Sequence, residues 1–305
     1  MTITRDNKDR LFRFIYGREE NKKWTLELYN AVNGTSYTDE SEIEIVTIDS
    51  VVYMKMKNDV AFLLGGFVNL YEHQSTFNPN MPLRELIYLA GIYSKYVYKK
   101  NLNIYGDTQL ILPVPRLLVF YNGTDKMPDE TVLELKNAFP ENIRDRSDVE
   151  VRVRMININA GHSNEIMRKS ETLREYAWFV ETVRTKLDSL KDIFLTEEEK
   201  KAAMEQAVNE AIDEMPDDYV IKPYIMENRA EVNFMCITEY DEKKTMELFA
   251  RDAREAQRKK DEAEIARMAD TIAAKESEIV ERDEALAAKD KEIEELKRQL
   301  AATKK

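Results

Sequence analysis

Asp59 and Glu72 lie in NDVAFLLGGFVNLYEHQS (Asn58 to Ser75), whose pattern predicts a β-hairpin that sets the two carboxylates face to face. Gly65-Gly66 is the predicted turn, because a two-residue type I′ loop needs positive φ at both positions and glycine accepts it. Counting outward from that loop, Leu64 faces Phe67 and Asp59 faces Glu72. Directly opposed side chains have Cβ atoms roughly 4.5–5.5 Å apart, and like charges there are destabilising unless something compensates. A divalent cation compensates. Hard ions such as Mg²⁺ take one or two carboxylates together with water and phosphate oxygens. The chemistry predicted is phosphodiester cleavage dependent on Mg²⁺, or on Mn²⁺ in its place.

Residues two apart in a strand share a face. Gln74 therefore joins Glu72, Lys57 joins Asp59, and Lys57 opposes Gln74, so an amide and an ammonium flank the acids. These are groups that orient a water or steady a phosphate, and Lys57, Asp59, Glu72 and Gln74 form the candidate catalytic set. His73 points to the opposite face. The same pattern also suits a solvated hairpin in which one acid simply pairs with Lys57.

The order Asp59, then Glu72-His73-Gln74, resembles the PD-(D/E)XK nuclease superfamily, with Gln74 where that signature carries lysine. More specifically, the segments EHQSTFNPNMPLRELIYLAGIY (Glu72 to Tyr93), PRLLVFYNGT (Pro115 to Thr124) and ININAGHS (Ile156 to Ser163) resemble the recombination-promoting nuclease / putative transposase family, a likeness spread over roughly residues 8 to 250. The resemblance implies a metal held by Asp59, Glu72 and the backbone carbonyl of His73, with DNA as substrate. It also implies that Arg84 and Tyr88, which share a helix face at i,i+4, accompany the site, Arg84 clamping a phosphate with its planar fork. The alternative for Arg84 is a structural role capping the loop Ser75 to Met81. Glu27 is a further acid of the superfamily type, or a plain surface glutamate, and His162 reads as a structural hydrogen-bonding residue in its turn.

The elements that must position these groups form an α/β body. Asp9 to Tyr16 and Asn21 to Val32 read as helices, and Glu42 to Ile48, Ser50 to Leu64 and Phe67 to Gln74 as a strand meander. Pro82 opens a helix running to about Tyr98. Arg116 to Tyr121 and Val151 to Met155 supply further strands, and from Ser163 onward the periodicity is helical, over Glu165 to Leu190, Thr196 to Met215 and Ala230 to Tyr240. The predicted fold is α/β, a restriction-endonuclease-like mixed sheet flanked by helices (residues 1–162), then a helical region (163–250) and a long helix or coiled coil (251–305). In that last stretch Ile265, Ile272, Ile279, Leu286, Ile293 and Leu300 recur at sevens. Three residues after each seam position, Met268, Lys275, Arg282, Lys289 and Leu296 are mostly charged, so a solvated single helix held by i,i+4 pairs is the alternative to a homo-oligomer.

Composition narrows the classes. The 305 residues are 43% hydrophobic and 34% charged, enough for one sizeable core with helical additions. Cys236 alone excludes an internal disulfide framework, and two histidines without a cysteine cluster argue against structural zinc. A charged N-terminus and the lack of a ~20-residue apolar run predict a soluble, cytoplasmic protein outside the membrane. No glycine-rich phosphate loop points to a nucleotide cofactor. The net charge of −12 divides unevenly, −9 in residues 191–250, −1 in 251–305 and only −2 in 1–190. The nuclease-like part thus lacks the strong basic footprint of a tight sequence-independent DNA binder.

Overall fold

The computed structural model describes residues 11–46, 59–189 and 196–238, and individual positions between 254 and 297. It divides into two compact units, residues 1–240 and 241–305.

The first unit is built on a six-stranded mixed sheet ordered β1-β2-β3-β4-β6-β5. Its strands are β1 (Glu44–Ile45), β2 (Val60–Leu64), β3 (Phe67–Gln74), β4 (Val114–Tyr121), β5 (Glu130–Glu134) and β6 (Arg152–Asn157). The turn between β2 and β3 is the one the glycines predict: Gly65 and Gly66 have φ of 56° and 81°. The register follows from it, Leu64 opposite Phe67 and Val60 opposite Tyr71. Strand β4 runs parallel to β3, reached through the long helix α3 (Met81–Lys99), and its last residue Tyr121 pairs with Gln74. Strand β6 continues the parallel set, and β5 closes the edge antiparallel to it.

Strand alternation sorts the two faces. On one, Phe62, Tyr71, Phe120 and Ile156 form the main core with helices α1 (Leu11–Tyr16), α2 (Lys22–Asn33) and α5 (Glu171–Asp188). On the other, Ala61, Val68 and Leu70 pack against Tyr88 and Ile92 of α3, while Val119, Tyr121 and Met155 pack with Met81.

The boundary expected between residues 162 and 163 is not a boundary of the core. Leu173, Tyr176 and Phe179 of α5, with Met204 and Val208 of α6 (Glu197–Glu214), are buried in the same cluster as Phe12 and Phe120. The physical reason is the apolar face of α5, which packs with α1, α2 and α6 into the cluster that covers this face of the sheet. Polar staples fix it there. Glu175 accepts the Val220 and Ile221 N–H groups at 3.0 Å each, just before α7 (Lys222–Glu227). The helix predicted over Glu165 to Leu190 is two helices, α4 (Asn164–Lys169) and α5, because the Ser170 hydroxyl caps α5 by accepting the Leu173 N–H. β5 was not predicted; its single buried apolar residue, Leu133, gives it little strand signal.

Among the described residues no helix is long and apolar enough to cross a membrane. In the second unit the described positions are helical.

Candidate metal and phosphate site

The site lies where β2 begins and β3 ends, on the sheet face that α3 covers. The hairpin register, continued one pair beyond Val60 and Tyr71, sets Asp59 opposite Glu72. Both acids accept backbone N–H groups of the hairpin. Glu72 Oε1 accepts the Asp59 N–H at 3.0 Å, and Asp59 Oδ2 accepts the His73 N–H at 2.7 Å. Both are buried, Asp59 4% exposed and Glu72 fully enclosed, so the solvated hairpin is not what forms. Lys57, expected across from Gln74, lies outside the described residues.

Arg84 and Tyr88 come to the site from α3. The Arg84 guanidinium donates through Nη2 to Glu72 Oε2 at 3.1 Å and to the Tyr88 hydroxyl at 3.2 Å, and through Nη1 to Met81 Sδ at 3.3 Å. Its side chain keeps 23% exposure while its carboxylate partner has none, so it forms the boundary between the buried acid and solvent. Burial first, and then the charge of Glu72, push the Tyr88 phenol up to about 12, so it stays neutral and serves as a hydrogen-bonding group.

Gln74 is buried beside them. Its Nε2 donates to Met81 Sδ, while Oε1 has no hydrogen-bond partner among the described residues. The side chain of His73 turns to the other face, as strand alternation requires. There it stacks on Phe12 and its Nε2 lies 3.1 Å from the Tyr176 hydroxyl. Only its backbone is available to the site.

One acid was missed. Glu85 is fully buried, and neither of its carboxyl oxygens has a hydrogen-bond partner among the described residues. Burial above all, then the charge of Glu72 and more weakly that of Asp59, raises its carboxyl well above the usual glutamate range, against the opposing effect of Arg84. The signal was present in the sequence. Met81, Glu85, Tyr88 and Ile92 form the buried stripe of α3 at helical spacing, so an acid interrupts an apolar row. A second group, Asn122, donates its N–H to the Gln74 carbonyl at 3.0 Å and buries an amide whose two polar atoms are unpartnered among the described residues.

Glu27 does not extend the acidic set by its contacts. Its Oε1 accepts from the Ser170 hydroxyl at 2.8 Å, the Thr172 N–H at 3.0 Å and the Thr172 hydroxyl at 3.1 Å, tying α2 to the start of α5. His162 pairs with Asp129 at 2.6 Å in a surface turn.

Chemically, the site offers oxygen donors and one guanidinium. Among the described residues no group of three or more His, Cys, Asp or Glu side chains is placed to hold a metal ion. An ion that keeps water and phosphate oxygens needs only one or two carboxylates. The Asp59 and Glu72 pair supplies the two carboxylates, and Gln74 Oε1, unpartnered among the described residues, is a further oxygen on the same strand face.

Comparison of the chain with family models, with curated proteins and with solved structures returns no match.

Proposed function

We propose that this protein is a Mg²⁺-dependent DNA endonuclease of the PD-(D/E)XK type, acting in recombination or transposition-related cleavage. The observation that carries the reading is the buried Asp59 and Glu72 pair at the start of β2 and the end of β3, Glu72 accepting the Asp59 N–H and Asp59 the His73 N–H, beneath an arginine that reaches solvent. The resemblance in Glu72 to Tyr93 and the two later segments supports the choice of DNA and the link to recombination.

In this reading Asp59 and Glu72 hold the ion, with the His73 carbonyl as a further oxygen donor. Once bound, a divalent ion polarises a phosphoryl oxygen and lowers the pKa of an attacking water. Gln74 orients that water through its amide, which can hydrogen bond but carries no charge. Arg84 clamps the phosphate, and Tyr88 steadies its guanidinium.

A second reading, a nuclease-fold protein that binds DNA or assembles without cutting it, is favoured by one observation. Gln74 stands where the superfamily has lysine, and its Nε2 is engaged with Met81. Supercoiled plasmid incubated with the full chain in Mg²⁺, Mn²⁺ or EDTA separates the two. Nicking that EDTA abolishes supports the first, and plasmid retention without nicking supports the second.

A further inference from the structure

The C-terminal unit carries an apolar row that is exposed at its described residues. Ile265, Ile272, Ile279, Leu286 and Ile293 are each between 48% and 66% exposed. Along a helix this row extends about 42 Å. Its two flanks carry opposite charge. Three residues after the central seam positions stand Lys275, Arg282 and Lys289, and four residues after them stand Glu276, Asp283 and Asp290. At about 100° per residue these flanks fall roughly 60° to one side of the row and 40° to the other.

The acidic flank has no partner available within its own helix. Ion pairs along a helix form at i±3 and i±4. Around Glu276, Asp283 and Asp290 those positions hold only apolar residues, except for Glu294, which is itself acidic. A solitary helix stabilised by its own charge pairs would therefore leave this flank unused.

We propose that the row is covered by a second copy of this chain, aligned parallel and in register. A twofold axis running along two parallel helices sets the basic flank of each against the acidic flank of the other. Lys275 of one copy then faces Glu276 of the other, Arg282 faces Asp283 and Lys289 faces Asp290, each pair at nearly equal height. Antiparallel pairing sets basic against basic and acidic against acidic. Charged flanking positions select partner and orientation in this way throughout coiled coils. The inference goes beyond DNA cleavage and does not depend on it.

The test uses the full chain. Light scattering after size exclusion is expected to give twice the chain mass. In a Cys236→Ser background, Leu286→Cys is expected to form a disulfide-linked dimer under oxidised glutathione at least about tenfold faster than Lys291→Cys on the outer face, since a seam pair alone meets disulfide geometry. The triple variant Lys275→Glu, Arg282→Glu, Lys289→Glu and the triple variant Glu276→Lys, Asp283→Lys, Asp290→Lys are each expected to be monomeric alone and to form a heterodimer when mixed. A monomeric wild-type chain, equal linking at the two cysteine positions, or dimers of either triple variant alone would each overturn the proposal.

Discussion

Asp59 and Glu72 both accept backbone N–H groups of the hairpin: Glu72 Oε1 accepts the Asp59 N–H at 3.0 Å, and Asp59 Oδ2 accepts the N–H of His73, the residue after Glu72, at 2.7 Å. The second Glu72 oxygen meets Arg84. The hairpin thus holds two charges at close range without letting either turn to solvent.

Glu85 makes this region sensitive to pH. Its raised carboxyl holds a proton in the folded chain that the unfolded chain releases near the ordinary glutamate value of about 4.3. Between that value and the raised one the folded state binds the extra proton, so stability falls as pH rises through this window. Glu85→Met removes the effect. Thermal melts at about pH 5 and about pH 8 are expected to show the variant gaining on wild type at the higher pH, by about 2–4 °C per kcal/mol of relieved penalty. A gap between the two proteins that does not change with pH contradicts a proton-holding Glu85.

Arg84 pairs with Glu72 Oε2, and the same guanidinium is the one proposed to hold phosphate. Arg84→Met is therefore expected to move two affinities in opposite directions. Mn²⁺ binding by calorimetry should tighten, because the buried Glu72 loses its resident cation, while DNA binding should weaken by about tenfold, the loss of roughly 1.4 kcal/mol in one charge-assisted contact. Parallel loss of both affinities would show that Arg84 only maintains the fold.

The side chain of His73 belongs to the core beneath the sheet. Tyr176→Phe removes its hydroxyl partner and should cost about 1 kcal/mol in denaturant unfolding. His73→Phe keeps the N–H that Asp59 accepts, so nicking by the folded variant should stay within about a few-fold of wild type. A loss of cleavage in His73→Phe with unchanged unfolding would place the imidazole in the chemistry.

The hairpin was legible in the sequence because two glycines fix the turn and a side-chain period of two does the rest. Asp59, Glu72, Gln74 and the opposite facing of His73 all follow from that one register. Arg84 and Tyr88 were legible as i,i+4 neighbours, but their contacts to Glu72 and to each other depend on how α3 crosses the sheet. Glu85 was passed over because its charge reads as a surface residue, and only the stripe of Met81, Tyr88 and Ile92 reveals its burial. The extent of the first unit was not legible. Helical periodicity after Ser163 looked like a change of domain, yet Tyr176 and Phe179 complete the same core as Phe12 and Phe120. Periodicity reports which face of a helix is apolar and not which surface covers it.

The most direct measurement is the initial rate of plasmid nicking in Mg²⁺ by wild type, Asp59→Asn and Glu72→Gln, with folding of each checked by circular dichroism. Both substitutions keep an oxygen that can accept the backbone N–H while removing the charge. The expected result is metal-dependent nicking by wild type and a fall of at least about 100-fold in both variants, the scale of losing several kcal/mol of transition-state stabilisation. Nicking by either folded variant at the wild-type rate would contradict a metal site built on Asp59 and Glu72.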